Sequence, residues 1–497
     1  MRFEVARFVV QGNTLLPSGE VESILAAFRG PGREFADVQR AVEALQQAYA
    51  KRGYTMVRVA LPEQELDRGV VRLRVVEARI GRVTVEGNRF FDEANIRASL
   101  PGLREGEMPN VARLSANLAQ ANENPAKKTT MRMQGGGAEG EVDARLVVAD
   151  EKPWAIGLNV DNTGSPATGR TMVGVVYQNS NLFNRDHVLG LQYTTTAEKP
   201  DQVSVYGAGY HVPIYSLGDS FDVYASYSDV NSGSVLTGIF ELQVSGKGTI
   251  AGARYNHAFA HLGPAETSLS LALEQKAYRN DVQLSGFQLG NDITVRPLSL
   301  SYWGTLKADA STTTFIVTGA GNIAGGKNGG DEDFARLRSG ASANYSLARL
   351  TLAHSHFLPA DWQVRAVLMA QYTRDALVPG EQFGAGGMLS VRGFESREIA
   401  GDKGVSGNLE LYTPALCASI PGVACRALVF GDAGRIMRND ALPGEFEQSS
   451  IGSVGAGLRA QVGRHVTAQL DVAHVLDAGP VSDKGSNRVN FRVSLTY

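Results

Sequence analysis

Few positions in this sequence combine residue type and spacing in a way that could do chemistry. Gly321-x-x-x-x-Gly326-Lys327-Asn328 has the outline of a phosphate-binding loop, in which backbone amides and a lysine cradle the phosphates. Asn328 stands where a Ser or Thr hydroxyl should hold Mg²⁺, and no convincing helix follows directly, so a Gly-rich surface loop is the better reading. His354 and His356 share one strand face at metal-ligand spacing. No further ligands cluster with them, and two imidazoles on an ordinary strand explain the pattern. Cys417 and Cys425 flank Ala-Ser-Ile-Pro-Gly-Val-Ala and form either one structural bridge or two unrelated thiols. No grouping of nucleophile, base and orienting residue supports an enzyme. The expectation is a non-enzyme with no cofactor and no metal site.

The elements that carry these residues follow from composition and periodicity. The chain has 497 residues, 43% of them hydrophobic, and a net charge of −3, without the basic excess that nucleic acid would ask for. It holds 56 glycines and only 2 cysteines, too few for a disulfide scaffold. No apolar run reaches the roughly 18 residues of a transmembrane helix. That leaves open a β-barrel, whose strands need only about 10 alternating residues each. The N-terminus, MRFEVARFVV, has no apolar signal core and no small-residue cleavage site. It enters a strand pattern at once, so the sequence reads as a mature or trimmed form.

An internal repeat organises the first part of the chain. Val5-Ala-Arg-Phe-Val-Val-Gln-Gly-Asn13 aligns with Ile80-Gly-Arg-Val-Thr-Val-Glu-Gly-Asn88, and the same offset carries Val21 and Leu25 onto Ile96 and Leu100. Each copy starts with a strand ending in a Gly-Asn turn, where positive φ is tolerated. A short helix follows, then a second one with an apolar face: Val38, Val42, Leu45 and Tyr49 in the first copy, Val111, Leu114 and Leu118 in the second. Pro109 suits the first turn of the latter helix. Two strands close each unit, Tyr54–Leu61 with Val70–Val76 and Thr129–Met133 with Glu141–Val148. The order is β-α-α-β-β, over residues 1–77 and 78–152. With its Val-x-Gly-Asn turn, it resembles the POTRA domain of outer-membrane assembly and secretion proteins.

From Trp154 helical periodicity gives way to strand-length segments separated by turn-rich stretches. In the last segment Val489, Phe491, Val493, Leu495 and Tyr497 alternate with Asn490, Arg492, Ser494 and Thr496. One face is apolar and the other polar up to a terminal aromatic, as in the closing strand of an outer-membrane barrel. Segments such as Ala155–Asp161, Gln363–Tyr372, Ala427–Ala433 and Val466–Val475 repeat the pattern, to a total of about 16, an even number as such barrels require. Connectors alternate between short (Leu182–Arg185, Gly463–His465) and long (Gly321–Phe334, Met437–Ser449), the rhythm of periplasmic turns and surface loops. A soluble β protein of this size would more often divide into smaller sandwiches. The expected fold is therefore a transmembrane β-barrel over residues 153–497, preceded by two α+β domains.

Three motifs then point to a family. Val391-Arg392-Gly393-Phe394 lies in a Gly-rich connector of about residues 380–404, Phe430-Gly-Asp432-Ala-Gly434 lies on a strand downstream, and Gly404–Pro414 forms the strand between. In this order, after two POTRA-like units, they resemble the two-partner-secretion outer-membrane transporters, the TpsB (ShlB/FhaC/HecB haemolysin secretion/activation) type of the POTRA-barrel superfamily. The resemblance covers essentially the whole chain and implies a protein of the Gram-negative outer membrane, surrounded by its lipid, with POTRA domains in the periplasm. Those domains would recognise a large haemolysin-, adhesin- or toxin-like exoprotein, which would cross the barrel unfolded. In that family the VRGF loop folds into the lumen, so Arg392 would pair with Asp432, Gly393 would allow a sharp turn and Phe394 would anchor the loop. Parity puts Leu428, Phe430 and Asp432 on one face, and a packed loop would explain apolar side chains there. A periplasmic turn between two strands would permit a Cys417–Cys425 disulfide. The sequence as given starts within a few residues of the first POTRA strand, so the N-terminal plug helix that family members often carry would either have been removed or be replaced by gating through the loop alone. An insertase of the same superfamily is the alternative; such proteins usually carry more POTRA units. A passive porin is the remaining one.

Overall fold

The structure is a computed structural model and describes residues 2–497 apart from 66–67, 139, 167, 230–233, 238–239, 244–246, 260–264, 280–282, 285–286 and 289–291. Met1, where the expected first repeat begins, lies outside the described residues. The chain divides into two compact units. One comprises Met1–Lys152 with Phe183–Asp186 and Ile214–Gly218, the other the remainder to Tyr497.

In the first unit the repeat becomes two small α+β layers. The first copy runs β1 (Arg7–Gln11), α1 (Ser18–Ala26), α2 (Phe35–Lys51), β2 (Arg58–Ala60) and β3 (Val70–Val76). The second runs β4 (Arg79–Glu86), α3 (Glu93–Ala98), α4 (Val111–Ala121), β5 (Lys127–Gly135) and β6 (Glu141–Asp150). In both sheets the last strand is central. β3 is parallel to β1 through Val10↔Leu73 and antiparallel to β2, and β6 is parallel to β4 through Val85↔Leu146 and antiparallel to β5. Each sheet therefore ends in one outer strand on either side. Apolar periodicity places the helices. On α2, Val38, Ala41, Leu45 and Tyr49 are buried on one face, against Leu25, Val71 and Leu73.

The Gly-Asn turns repeat in detail. Gly12 and Gly87 both sit at φ +85°, where a Cβ would lie 2.3 Å from Val75 O and 2.5 Å from Val148 O. A side chain fits neither the backbone angle nor the space. A carboxylate at the end of the central strand then binds the amides of the turn. Glu77 accepts from Thr14 N and Leu15 N at 2.8 and 3.1 Å. Asp150 accepts from Arg89, Phe90 and Phe91 N within 2.8–3.0 Å. Burial alone would raise the Asp150 carboxyl. The three amides outweigh it and hold that carboxyl below its ordinary range.

Several local expectations are corrected. The strand expected over Tyr54–Leu61 is only Arg58–Ala60, because Gly53 at φ +88° ends α2 and Tyr54 N stays bonded to Tyr49 O. Pro109 precedes the helix rather than opening it: Asn110 is the N-cap and accepts from Arg113 N at 3.0 Å, so the helix starts at Val111. The apolar face of α4 centres on Leu114 with Ala121, while Val111 and Leu118 lie at its margin. Leu100 is buried but falls just beyond α3. The Gly321–Phe334 connector is not all loop. Gly321 belongs to a strand, and a helix, α5 (Asp331–Leu337), buries Phe334 against Tyr345.

The second unit is a closed antiparallel barrel. Its first eight strands are β7 (Trp154–Asp161), β8 (Met172–Leu182), β9 (His187–Thr196), β10 (Val205–Ile214), β11 (Asp219–Ser228), β12 (Gly248–Ala258), β13 (Ala265–Tyr278) and β14 (Pro297–Ala308). The rest are β15 (Ser311–Asn322), β16 (Ser346–Phe357), β17 (Gln363–Tyr372), β18 (Lys403–Tyr412), β19 (Val423–Met437), β20 (Gln448–Val462), β21 (Val466–Asp477) and β22 (Asn487–Thr496). That is the sixteen-strand wall the alternation predicts, each strand pairing with its neighbour in sequence. A short piece, Ile293–Val295, precedes β14 and also pairs with β13; Pro297, which has no N–H, follows the break between them. The barrel closes between β22 and β7, where Val493 stands opposite Val160 and Tyr497 and Ile156 exchange backbone bonds of 2.9 and 3.0 Å. Among the described residues no helix is long and apolar enough to cross a membrane. The outer face of the strands supplies the apolar belt instead, with Leu298, Leu300, Leu409, Val429, Leu470 and Val472 all exposed. Aromatic neighbours such as Tyr193–Tyr206 and Trp154–Tyr497 lie among them.

Candidate functional site: the in-folded loop and its wall

The connector between β17 and β18, residues 373–402, turns back and packs on the inner face of β18–β21. A small hairpin of Phe383–Ala385 with Ile399–Gly401 forms its stem. Arg392 sits beyond this stem, only 3% exposed. Its Nε donates to Asp432 Oδ2 at 2.7 Å and its Nη2 to Asp432 Oδ1 at 2.8 Å, the two-pronged geometry a planar guanidinium favours. The Arg392 backbone N–H reaches the same carboxylate at 3.1 Å. The guanidinium also covers the Phe430 ring, 3.5 Å from its centroid.

The pairing is wider than two residues. Arg392 Nη1 donates to Glu410 Oε1 at 2.8 Å and stands 3.7 Å from Asp471 Oδ1. A second arginine serves each of those carboxylates, Arg365 on Glu410 at 3.2 Å and Arg459 on Asp471 at 2.8 Å. Three carboxylates and three guanidinium groups thus balance on β17–β21 and the loop. Such balance matters in a confined site, since removing one partner of a buried pair costs about 3–5 kcal/mol. Glu410 and Asp471 were not singled out from the sequence. Glu410 lies within the Gly404–Pro414 strand and shares a face with Asn408, which stands opposite Asp432; parity along that strand was the available signal. Nothing in the local sequence marks Asp471.

The remaining motif residues are drawn in around this network. Val391 and Phe394 are fully buried with Ala385, Ile399, Ile436, Ile451 and Val475. Leu428 and Phe430 are buried on the same face as Asp432, beside Ala473, while Val429 between them is 56% exposed on the outer face. Gly393 takes φ +97°. Gly434 admits the loop: a Cβ there would lie 2.9 Å from Ala385 Cβ and 3.1 Å from Val391 Cγ2. Gly455, on β20, leaves room for Phe430, whose Cζ would be 2.4 Å from any Cβ.

Other candidates lie apart from this wall. Cys417 and Cys425 are joined in a disulfide with Cα atoms 5.4 Å apart, across the base of the connector between β18 and β19. His354 and His356 stack with ring centroids 6.3 Å apart, and His354 Nδ1 lies 2.8 Å from Thr313 Oγ1. The Gly-rich turn closes on itself through Gly325 N to Gly329 O at 2.7 Å, with Arg296 against Gly326. Among the described residues no group of three or more His, Cys, Asp or Glu side chains is placed to hold a metal.

Known proteins share this architecture. Residues 3–78 match the ShlB-type POTRA domain, and residues 140–460 match the haemolysin secretion/activation protein ShlB/FhaC/HecB family. The outer membrane transporter CdiB of Escherichia coli O6:K15:H31 (strain 536 / UPEC) is 26% identical over 485 residues, covering 94% of this chain and 78% of the relative. The heme/hemopexin transporter protein HuxB of Haemophilus influenzae (strain ATCC 51907 / DSM 11121 / KW20 / Rd) is 20% identical over 475 residues, 94% of this chain and 82% of the relative. The solved structure of CdiB from Escherichia coli has the same fold, with a TM-score of 0.79 at 21% identity over all of this chain and 91% of that one. The chain therefore belongs to the haemolysin secretion/activation protein ShlB/FhaC/HecB family, the outer-membrane transporters of two-partner secretion.

Proposed function

We propose that this transporter exports one large haemolysin-, adhesin- or toxin-like exoprotein, and that the loop carrying Arg392 is the gate of its pore. The observation that carries the reading is the wall under the loop. Apolar side chains at Leu428, Phe430, Ile436 and Ile451 face a lumen that water would otherwise fill, and the loop covers them. A plug held by ion pairs, hydrogen bonds and apolar packing, with no covalent link to the wall, can be exchanged for a passing chain. Val391, Phe394 and Arg392 would leave together, and the three carboxylates would become solvated. The N-terminal repeats would act upstream. Each sheet has outer strands, and an extended client can add to such an edge through main-chain hydrogen bonds. The β5 edge runs nine residues, against three for β2, which favours it as the longer template.

The test pairs this protein with a candidate exoprotein encoded beside it and follows secretion to the medium. Arg392→Ala, Asp432→Ala and the swap Arg392→Asp with Asp432→Arg are compared with the parent. Loss in both single variants with recovery in the swap supports the lock. Equal loss in all three leaves the pairing unsupported. A general failure of outer-membrane protein assembly on deletion would instead indicate an insertase.

A further inference from the structure

The same loop carries a charged attachment, at Glu398, that the Arg392 network does not include. Glu398 Oε1 accepts the backbone N–H groups of Ser482 at 2.7 Å and Val481 at 3.0 Å. Its Oε2 accepts Ser482 Oγ at 2.7 Å and the loop's own Glu395 N at 2.8 Å. Val481 and Ser482 belong to the connector between β21 and β22, residues 478–486. Gly479 of that connector stands directly against the contact: a Cβ there would lie 2.2 Å from Glu398 Oε1 and 3.2 Å from Phe394 Cδ1. Glu395 adds to the attachment, since Arg488 at the start of β22 contacts its carboxylate at 2.8 and 2.9 Å.

The chemistry differs from that of the Arg392 site. There, apart from the Arg392 N–H, side chains bind side chains in a buried wall. Here, one carboxylate gathers three donors from a single connector, two of them main-chain amides that sheet pairing does not use. Hydrogen bonds to a charged acceptor are the stronger kind. The connector is reachable from solvent, with the Val481 side chain 69% exposed. It can therefore rearrange without unzipping β21 from β22.

We infer that Glu398 is a positioning residue for transport: it fastens the in-folded loop to the β21–β22 connector, and the loop leaves the lumen only when that connector lets go. The inference rests on the reading of the loop as the gate. It adds a release point on a different segment of chain from Asp432, so that opening of the Asp432 attachment alone does not free the loop.

Planar lipid bilayers holding the full-length transporter, with KCl current as the readout, test it. Two double variants are made, Glu398→Cys with Ser482→Cys, and Ser390→Cys with Asn408→Cys. The second pair tethers the loop to β18 where Asn408 Nδ2 donates to Ser390 O, and leaves Arg392 intact. Each pair is bridged with a bifunctional methanethiosulfonate and released with dithiothreitol. The parent, treated alike, controls for the Cys417–Cys425 disulfide. The bridge at 398 and 482 is expected to suppress channel opening and reduction to restore it. Unbridged Glu398→Gln, with barrel folding verified by its heat-dependent gel mobility, is expected to raise the open fraction roughly tenfold. Suppression by the 390–408 bridge with no effect of the 398–482 bridge would overturn the role of Glu398 and leave the gate standing. No effect of either bridge would remove the gate itself, and the inference with it.

Discussion

The two sides of the barrel line one lumen with different chemistry. On β13 and β16, Lys276 and Arg349 contact Glu381 of the loop at 3.2 and 3.4 Å, which identifies their faces as inner ones. Parity then places Ser270, Thr351 and Ser355 on the inner face, and the strand register carries it to Ser299, Ser301, Thr314 and Thr318. That wall is hydroxyl-rich and, apart from the buried Ser270, half-buried to exposed, with Ser301 and Thr318 hydrogen-bonded at 2.8 Å. On β18–β21 the inner face instead carries Glu410, Leu428, Phe430, Asp432, Ile436, Ile451 and Asp471, all buried. Barrel strands alternate apolar outside and polar inside because the lumen is wet. The alternation holds over most of the first wall, where Trp303 and Ile316 are exceptions, and fails on the second, and the failure marks where protein replaces water inside the barrel.

This contrast can be broken most directly at its charges. Asp432→Ala or Arg392→Ala leaves a buried charge without its main partner and should lower barrel stability by about 3–5 kcal/mol, read as a lower urea midpoint for unfolding in detergent. Phe394→Ala should cost roughly 3 kcal/mol in the same assay, through the cavity it leaves among Val391, Ile436 and Val475. Gly434→Ala forces a methyl against Ala385 and Val391, and overpacking of this kind costs about 1–3 kcal/mol. Thr314→Ala or Thr351→Ala on the hydroxyl wall should stay within about 0.5 kcal/mol, with resting channel conductance unchanged. A loss at Thr351 as large as that at Phe394 would mean the two walls do not differ as described.

The in-folded loop and its wall were partly legible in the sequence. Arg392, Gly393, Phe394, Asp432 and Gly434 were marked because short motifs in a fixed order resemble one family. Leu428 and Phe430 were marked because apolar side chains sharing a face with Asp432 contradict a plain barrel strand. Glu410 and Asp471 were not, since one carboxylate on an alternating strand looks like any other lumen-facing polar residue. Glu398 was invisible for a further reason. Three of its four hydrogen-bond donors are main-chain amides, and backbone groups carry no sequence signature. The local errors have the same character. Pro109 invited a helix start, but Asn110 offered a side-chain oxygen to the Arg113 N–H, and capping decided the boundary.

The sequence by itself determined the two repeats, an even strand count of about 16 and, on the closing strand, which residues face outward. All follow from short-range periodicity, which is set by backbone geometry and by where water is excluded. Only the tertiary structure decided which carboxylates meet Arg392 and which connector meets Glu398. Those contacts join residues far apart in the chain, such as Arg392 with Asp471, and depend on strand register and on how the loop enters the lumen. Neither leaves a local trace, because many placements of a charged side chain satisfy the same alternation and only one brings opposite charges within bonding distance.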